Sequence, residues 1–236
     1  KDPRWLLARQ YSRVYWGNAA VAYARSVLPV GEFDAVLADD VDTVPLALSL
    51  QPRRGVHADL HEYAPGQNSE LPRWRWFVAP YIRWICRRFV SRAASVTTVG
   101  QGIAERYTRE FGFPVGVVTN AAPYADLAPG VVGSPIRLVH SGNAQRNRQL
   151  EVMIDGVEQS TTPVTLDLLL MPNDEVYRDE LRARCAGSER VRVLDPVPYR
   201  DLVQTLNGYD VGVFVLPPVN VNYEWTLPNK FFDYVQ

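Results

Sequence analysis

Two short stretches of this 236-residue chain combine residue types that suit the binding of an anion. The first is Ser141-Gly-Asn-Ala-Gln-Arg-Asn-Arg148, which follows the apolar run Ile136–His140 and leads into a helical pattern. Ligands of open parallel sheets bind beyond the carboxyl ends of strands, and a glycine there admits a phosphate close to the backbone. Arg146 and Arg148 supply guanidinium groups suited to a diphosphate. The second stretch is Leu227-Pro-Asn-Lys-Phe-Phe-Asp-Tyr234. Pro228 marks a helix start, which puts Lys230 in the first turn, where its charge opposes the helix dipole and an anion would relieve the conflict. Lys230 is one of two lysines against 23 arginines, so a compact ammonium here is a chemical choice. Asp233, one turn on, is within reach of hydroxyls on the same ligand. The alternative for both stretches is a solvated loop and an ordinary helix start.

The elements that must position these residues alternate along the chain. Runs at 34–38, 95–99, 115–119, 136–140, 165–170, 191–194 and 211–215 are short and near-continuously apolar, as in strands buried on both faces. Helical spacing occupies 4–28, 71–93, 101–112, 147–158, 174–186, 198–207 and 228–236. This alternation predicts α/β architecture. The segment 121–135 holds three prolines and two glycines with little periodicity, and suits a linker. The expected domains are therefore 1–133 and 134–236. The chain lacks a starting methionine and stops within a helical pattern, so the first domain is expected to be incomplete at its start and the second at its end.

Composition narrows the function. A net charge of −1 argues against a general nucleic-acid binder. Charge is uneven, with 15 basic and 12 acidic side chains in 1–133 and 10 and 14 in 134–236. Cys86 and Cys185 belong to no metal-binding or disulfide pattern, which fits a reducing, cytoplasmic environment. The N-terminal Lys-Asp-Pro-Arg-Trp lacks the pattern of a secretory signal, and no apolar run is long enough to span a membrane. A nicotinamide dehydrogenase is the weakest option, because no GxGxxG follows a strand.

Four segments in order resemble the retaining glycosyltransferases of family 4: Asp40–Leu48, Asp59-Leu-His-Glu-Tyr63, Ala94–Glu105 with Val118–Ala121, and Leu227–Tyr234 after Asn222-Tyr223. The resemblance covers residues 34–236. It implies the GT-B fold, two Rossmann-like parallel-sheet domains facing across a cleft, and transfer of a sugar from a nucleoside diphosphate to a carbohydrate or lipid-linked acceptor in envelope or exopolysaccharide assembly. It further implies that Arg148 and Lys230 contact the donor diphosphate and Gly142 lets the donor approach. Asn229 shares the loop of Lys230, Asp233 takes the place of the ribose-binding glutamate, and His61 lies near the reacting carbon. Asp42 and Glu62 fall on the acceptor side. No metal or cofactor is implied. The sequence departs from the family at Asn143, where many members carry arginine, and at Trp225, which occupies the first position of the paired-glutamate motif with Glu224 beside it. A nucleotide-sugar epimerase and an inactive partner subunit on the same fold are the alternatives.

Residues 71–94 carry six arginines, no acid and six large aromatics. Two readings of this segment stand. One is a helix packing its aromatic face on the first domain. The other is peripheral contact with an anionic membrane at the inner face of the cell membrane.

Overall fold

A computed structural model describes residues 3–236, leaving Lys1 and Asp2 of the N-terminal stretch outside the described residues. The chain divides into two compact units. Unit 1 runs through Thr119 and takes in Pro218–Leu227; unit 2 comprises Asn120–Pro217 and Pro228–Gln236. The segment 121–135 thus belongs with unit 2. A ten-residue excursion that the sequence pattern assigned to the second domain belongs with unit 1.

In unit 1 the single helix expected over 4–28 is three: α1 (Pro3–Leu7), α2 (Tyr11–Trp16) and α3 (Ala19–Val27). The first break falls where Arg9 takes a left-handed φ of 53°. The second falls at Gly17 and Asn18, whose side chain caps α3 by accepting from the Ala20 amide at 2.9 Å. Strands β1 (Val36–Asp39), β2 (Val56–Leu60), β3 (Ser95–Thr98) and β4 (Gly116–Val117) form a parallel sheet in sequence order. Helices α4 (Val44–Ser49), α5 (Ala79–Arg88) and α6 (Gln101–Phe111) lie between them in the chain. The pattern does not predict β2, because His57 and Asp59 interrupt its apolar run. Its Val56, Ala58 and Leu60 are buried, while His57 bonds sideways to Ser95 Oγ (2.7 Å) and Thr97 Oγ1 (3.0 Å) of β3. Expected helix 71–93 is a π-helical turn, Trp74–Val78, running into α5. The wider turn lets Pro80 enter near the start of α5 without breaking the rod.

In unit 2, β5 (Ile136–Asn143), β6 (Val164–Met171), β7 (Val191–Leu194) and β8 (Val211–Gly212) are parallel in the order β7-β6-β5-β8. Helices α7 (Glu151–Gln159), α8 (Glu175–Cys185) and α9 (Tyr199–Leu206) follow β5, β6 and β7. The central strand is buried on both faces: Leu166, Leu168 and Leu170 pack with α7 and α8, and Leu169 with Val139 and Leu206. Asp167 sits among them because Arg192 takes it with two bonds (2.7 and 2.6 Å) and Tyr209 with a third (2.8 Å). The chain then passes through α10 (Val221–Glu224) of unit 1 before α11 (Asn229–Tyr234) of unit 2. The strand expected to stop at His140 continues to Asn143, which pairs with Met171, so Ser141, Gly142 and Asn143 are strand residues rather than a turn.

Candidate functional site

In unit 2 the strand order reverses between β5 and β8, and such a switch point opens a crevice beyond the carboxyl ends of the two strands. Gly142 lies near that end of β5. A Cβ on it would stand 2.6 Å from Cε and 2.8 Å from Nζ of Lys230, so the room left by the glycine is filled by the lysine. The Lys230 ammonium also lies 5.4 Å from the centre of the Phe214 ring, just past β8. Helix α11 is docked by Tyr234. Its ring lies flat on Gly212, where a Cβ would meet it at 2.2 Å, and its Oη accepts the Ser141 amide at 3.1 Å. Pro228 precedes the helix as an extended N-cap rather than as a helical residue, because its ψ is 143°.

His140, 2% exposed, sits between these elements. Its Nδ1 bonds to the Val213 carbonyl at 2.9 Å, so that nitrogen carries the proton and Nε2 keeps a lone pair. The ring stacks on Phe214 with 6° between planes. Burial above all, then Lys230 and Arg148, pushes the imidazole down to about 4, against the pull of the Val213 bond. Burial also lowers the Lys230 ammonium, with the Arg148 charge adding to it and Asp233 opposing. No carboxylate lies within ion-pair distance of Lys230 among the described residues. Asp233 is buried, and burial raises its carboxyl despite Lys230. Its Oδ1 accepts no hydrogen bond among the described residues, and it lines a cavity of about 100 Å3 beside Gly212 and Leu206.

The fold is of the GT-B type, with two Rossmann-like α/β units each built on a parallel four-stranded sheet. Among solved structures the chain is similar to S. aureus TarM in complex with fondaparinux, α-GlcNAc-glycerol and UDP. The TM-score is 0.61 at 9% identity, over 82% of this chain and 39% of TarM. It is similar also to the pneumococcal O-GlcNAc transferase GtfA in complex with UDP and GlcNAc, with a TM-score of 0.52 at 10% identity, over 83% and 39% of the two chains. A putative UDP-N-acetylglucosamine 2-epimerase from Listeria monocytogenes gives 0.50 at 17% identity, over 85% and 55%. The chain therefore spans 39–55% of the length of these structures. No protein-family model and no curated protein matches the sequence.

The remaining expected donor residues are distributed unevenly. Arg148 ends a 3-10 turn, Arg146–Arg148, and its charge acts on both His140 and Lys230. Arg146 is engaged elsewhere: it makes a two-pronged bond to Glu180 (2.7 Å each) and lies over the Tyr177 ring, so it supports α8 rather than a ligand. Asn143 and Asn229 are exposed.

Unit 1 carries the other expected residues. His61 follows β2, and its Nε2 stands 3.1 Å from Asp39 Oδ1 and 3.5 Å from Asp59 Oδ2. Thr97 Oγ1 donates to the other Asp59 oxygen at 2.9 Å. One ligand atom from each of Asp39, Asp59 and His61 lies within 4.8 Å of the others, a spacing a divalent cation can bridge. Asp40 stands beside them at a φ of 66°, and burial raises its carboxyl. Burial and then Asp40 raise Glu62 too; it accepts from Gln67 and, at 3.4 Å, from Asn222. Asp42 is exposed, and its carbonyl accepts the Tyr15 hydroxyl at 2.8 Å.

The excursion 218–227 holds a residue that spacing does not single out. Asn222, buried in unit 1, accepts the Tyr63 amide at 2.7 Å and donates to the Tyr63 carbonyl at 3.2 Å, pairing with that backbone as a strand would. Three residues on, the Trp225 ring covers Gly102 at the start of α6, where a Cβ would meet it at 2.2 Å. Glu224 is exposed. His140 is the corresponding omission in unit 2. Its one sequence signal is a histidine closing the apolar run 136–140.

Proposed function

We propose that this chain forms much of a glycosyltransferase that moves a sugar from a UDP-type donor to a carbohydrate or lipid-linked acceptor, with retention, in cell-envelope or exopolysaccharide assembly. The observation that carries this reading is the pair of cations at the β5–β8 switch point. Lys230 is held desolvated in the space left by Gly142, with Arg148 close enough to depress it further. A half-buried ammonium that burial and a neighbouring cation both disfavour is relieved by a bound polyanion. In this reading the bond from the anomeric carbon to the diphosphate oxygen breaks while Lys230 and Arg148 take up the charge developing on the leaving group. The acceptor hydroxyl oxygen bonds to the same carbon and passes its proton to the departing diphosphate. Asp233 holds the ribose hydroxyls, Asn229 and Asn143 complete the donor contacts, and His61, with Asp42 and Glu62, serves the acceptor side. Membership of family 4 rests on the four ordered segments, and UDP as the nucleotide on the fold neighbours, two of which hold it.

The first test is a thermal-shift titration with UDP, GDP, ADP and their sugar conjugates on wild type and Arg148→Ala, since a ligand that prefers the folded state raises its stability. Saturable stabilisation by UDP that Arg148→Ala abolishes supports the donor site. Stabilisation by no nucleotide sinks the transferase reading. A second reading, an inactive partner subunit, is favoured by Trp225, which places an indole packed on Gly102 at the family's first acidic position. Normal UDP-sugar binding without transfer to any acceptor supports it. Release of UDP and a rearranged free sugar without an acceptor points instead to an epimerase.

A further inference from the structure

The arginine-rich segment 71–94 is not absorbed by donor chemistry, and the fold decides which of its side chains face solvent. Tyr81 enters the core of unit 1, and Trp74 turns inward, its indole N–H donating to the Pro65 carbonyl at 3.1 Å. Trp76, by contrast, is 72% exposed, and Leu71 and Phe77 are exposed with it. Trp76, Pro80, Trp84 and Arg88 follow at intervals of four along one continuous rod, so each neighbours the next on its surface.

Further along that rod, Pro80, Trp84, Arg87 and Arg88 form one wall of an open groove of about 450 Å3, and Arg9 and Tyr11 form the other. Its floor is aromatic, Tyr11 and Trp84 meeting at 5.9 Å between ring centres. Arg83 also borders it, but Glu110 holds that guanidinium at 2.6 Å. Arg9, Arg87 and Arg88 have no carboxylate partner among the described residues; Arg87 rests over the Phe111 ring. The groove thus offers three cations above an apolar floor, and the exposed Trp76 and Phe77 lie one turn before its Pro80 on the same rod.

We propose that this groove of unit 1 binds the phosphate headgroup of an anionic lipid, seating the unit on a bilayer surface with Trp76 and Phe77 in the interfacial layer. The cations match the headgroup and the negative surface potential of such a membrane. A free phosphate would use the arginines but gain nothing from the aromatic floor or from exposed Trp76, whereas an interface suits an amphipathic indole. The proposal is independent of the donor chemistry of unit 2.

Co-sedimentation of the full chain with phosphatidylcholine vesicles, with and without phosphatidylglycerol, tests it. Binding is expected only with phosphatidylglycerol and is released by salt. Arg9→Gln/Arg88→Gln is expected to weaken it roughly 30-fold, as two surface charges lost would, and Trp76→Ser to weaken it independently of salt. These side chains are exposed, so melting temperatures should match wild type, and UDP stabilisation should be unchanged in every variant. Equal binding to both vesicle types, or binding that neither variant alters, overturns the proposal. So does stabilisation by glycerol phosphate through Arg9 and Arg88 without vesicle binding, which would assign the groove to a soluble phosphate ester.

Discussion

At the end of β2, His61 faces Asp39 and Asp59 near the surface, its Nε2 3.1 and 3.5 Å from their carboxylate oxygens. At the β5–β8 switch point, half-buried Lys230 and Arg148 act on a buried, neutral imidazole, and Asp233 lies a turn away with an oxygen left without a hydrogen bond. Both constellations sit at carboxyl ends of parallel strands, so position in the fold does not separate them. What separates them is compensation. The first brings unlike groups together where water reaches them. The second holds a lysine that burial disfavours and that has no carboxylate within ion-pair distance among the described residues, and such desolvated charge persists only where the surrounding structure enforces it.

The largest expected effect sharpens that contrast through pH. His140 is held near 4 in the folded chain against 6.5 unfolded, so the unfolded chain binds the extra proton between those values. The stability it contributes is therefore fully present above pH 6.5 and is lost as pH falls through 4, about 3 kcal/mol in all. Urea unfolding from pH 7 down to 4 measures this, and His140→Asn, which can still donate to Val213, should flatten that part of the profile. A profile unchanged in His140→Asn would break the account of the pocket as desolvated.

Next comes the cation pair. Lys230→Met and Arg148→Ala should each weaken UDP binding by about 1.5–3 kcal/mol, the worth of a charge-assisted contact. Lys230→Met should at the same time raise the melting temperature of the ligand-free protein, because it removes a half-buried charge with no ion-pair partner among the described residues. Loss of both binding and stability would mean that the lysine serves packing instead. A smaller effect, about 1 kcal/mol in UDP affinity, is expected from Gly142→Ala, whose methyl group displaces the lysine tip. Calorimetry should find it absent when Lys230 is already methionine. Smallest is His61→Ala, which should change unfolding free energy by under about 1 kcal/mol because exposed pairs contribute little. A cost of several kcal/mol would show the two constellations to be alike.

The sequence alone determined the α/β class, most elements and the order of the candidate residues. Near-continuous apolar runs such as Thr165–Leu170 can be buried on both faces only within a sheet. Lys230 and Arg148 stood out because a rare lysine and a glycine-led arginine loop are chemically distinctive even without coordinates. Local pattern was less informative where a polar residue finds its partner on a neighbouring strand. His57 and Asp59 hid β2 for that reason, and the left-handed Arg9 divided a helix whose spacing looked unbroken.

Only the tertiary structure decided which partner each charge meets. Arg146 and Arg148 are two residues apart and chemically equivalent, yet Glu180, more than thirty positions on, claims the first. Gly142 has the Lys230 tip against it, and His140 entered the site because the Val213 carbonyl, just past β8, fixes its tautomer. Asn222, counted with the second domain by position, pairs with the Tyr63 backbone of the first. In each case the partner is remote in the chain. Side-chain compensation is a property of who ends up adjacent in space, which periodicity and spacing do not encode.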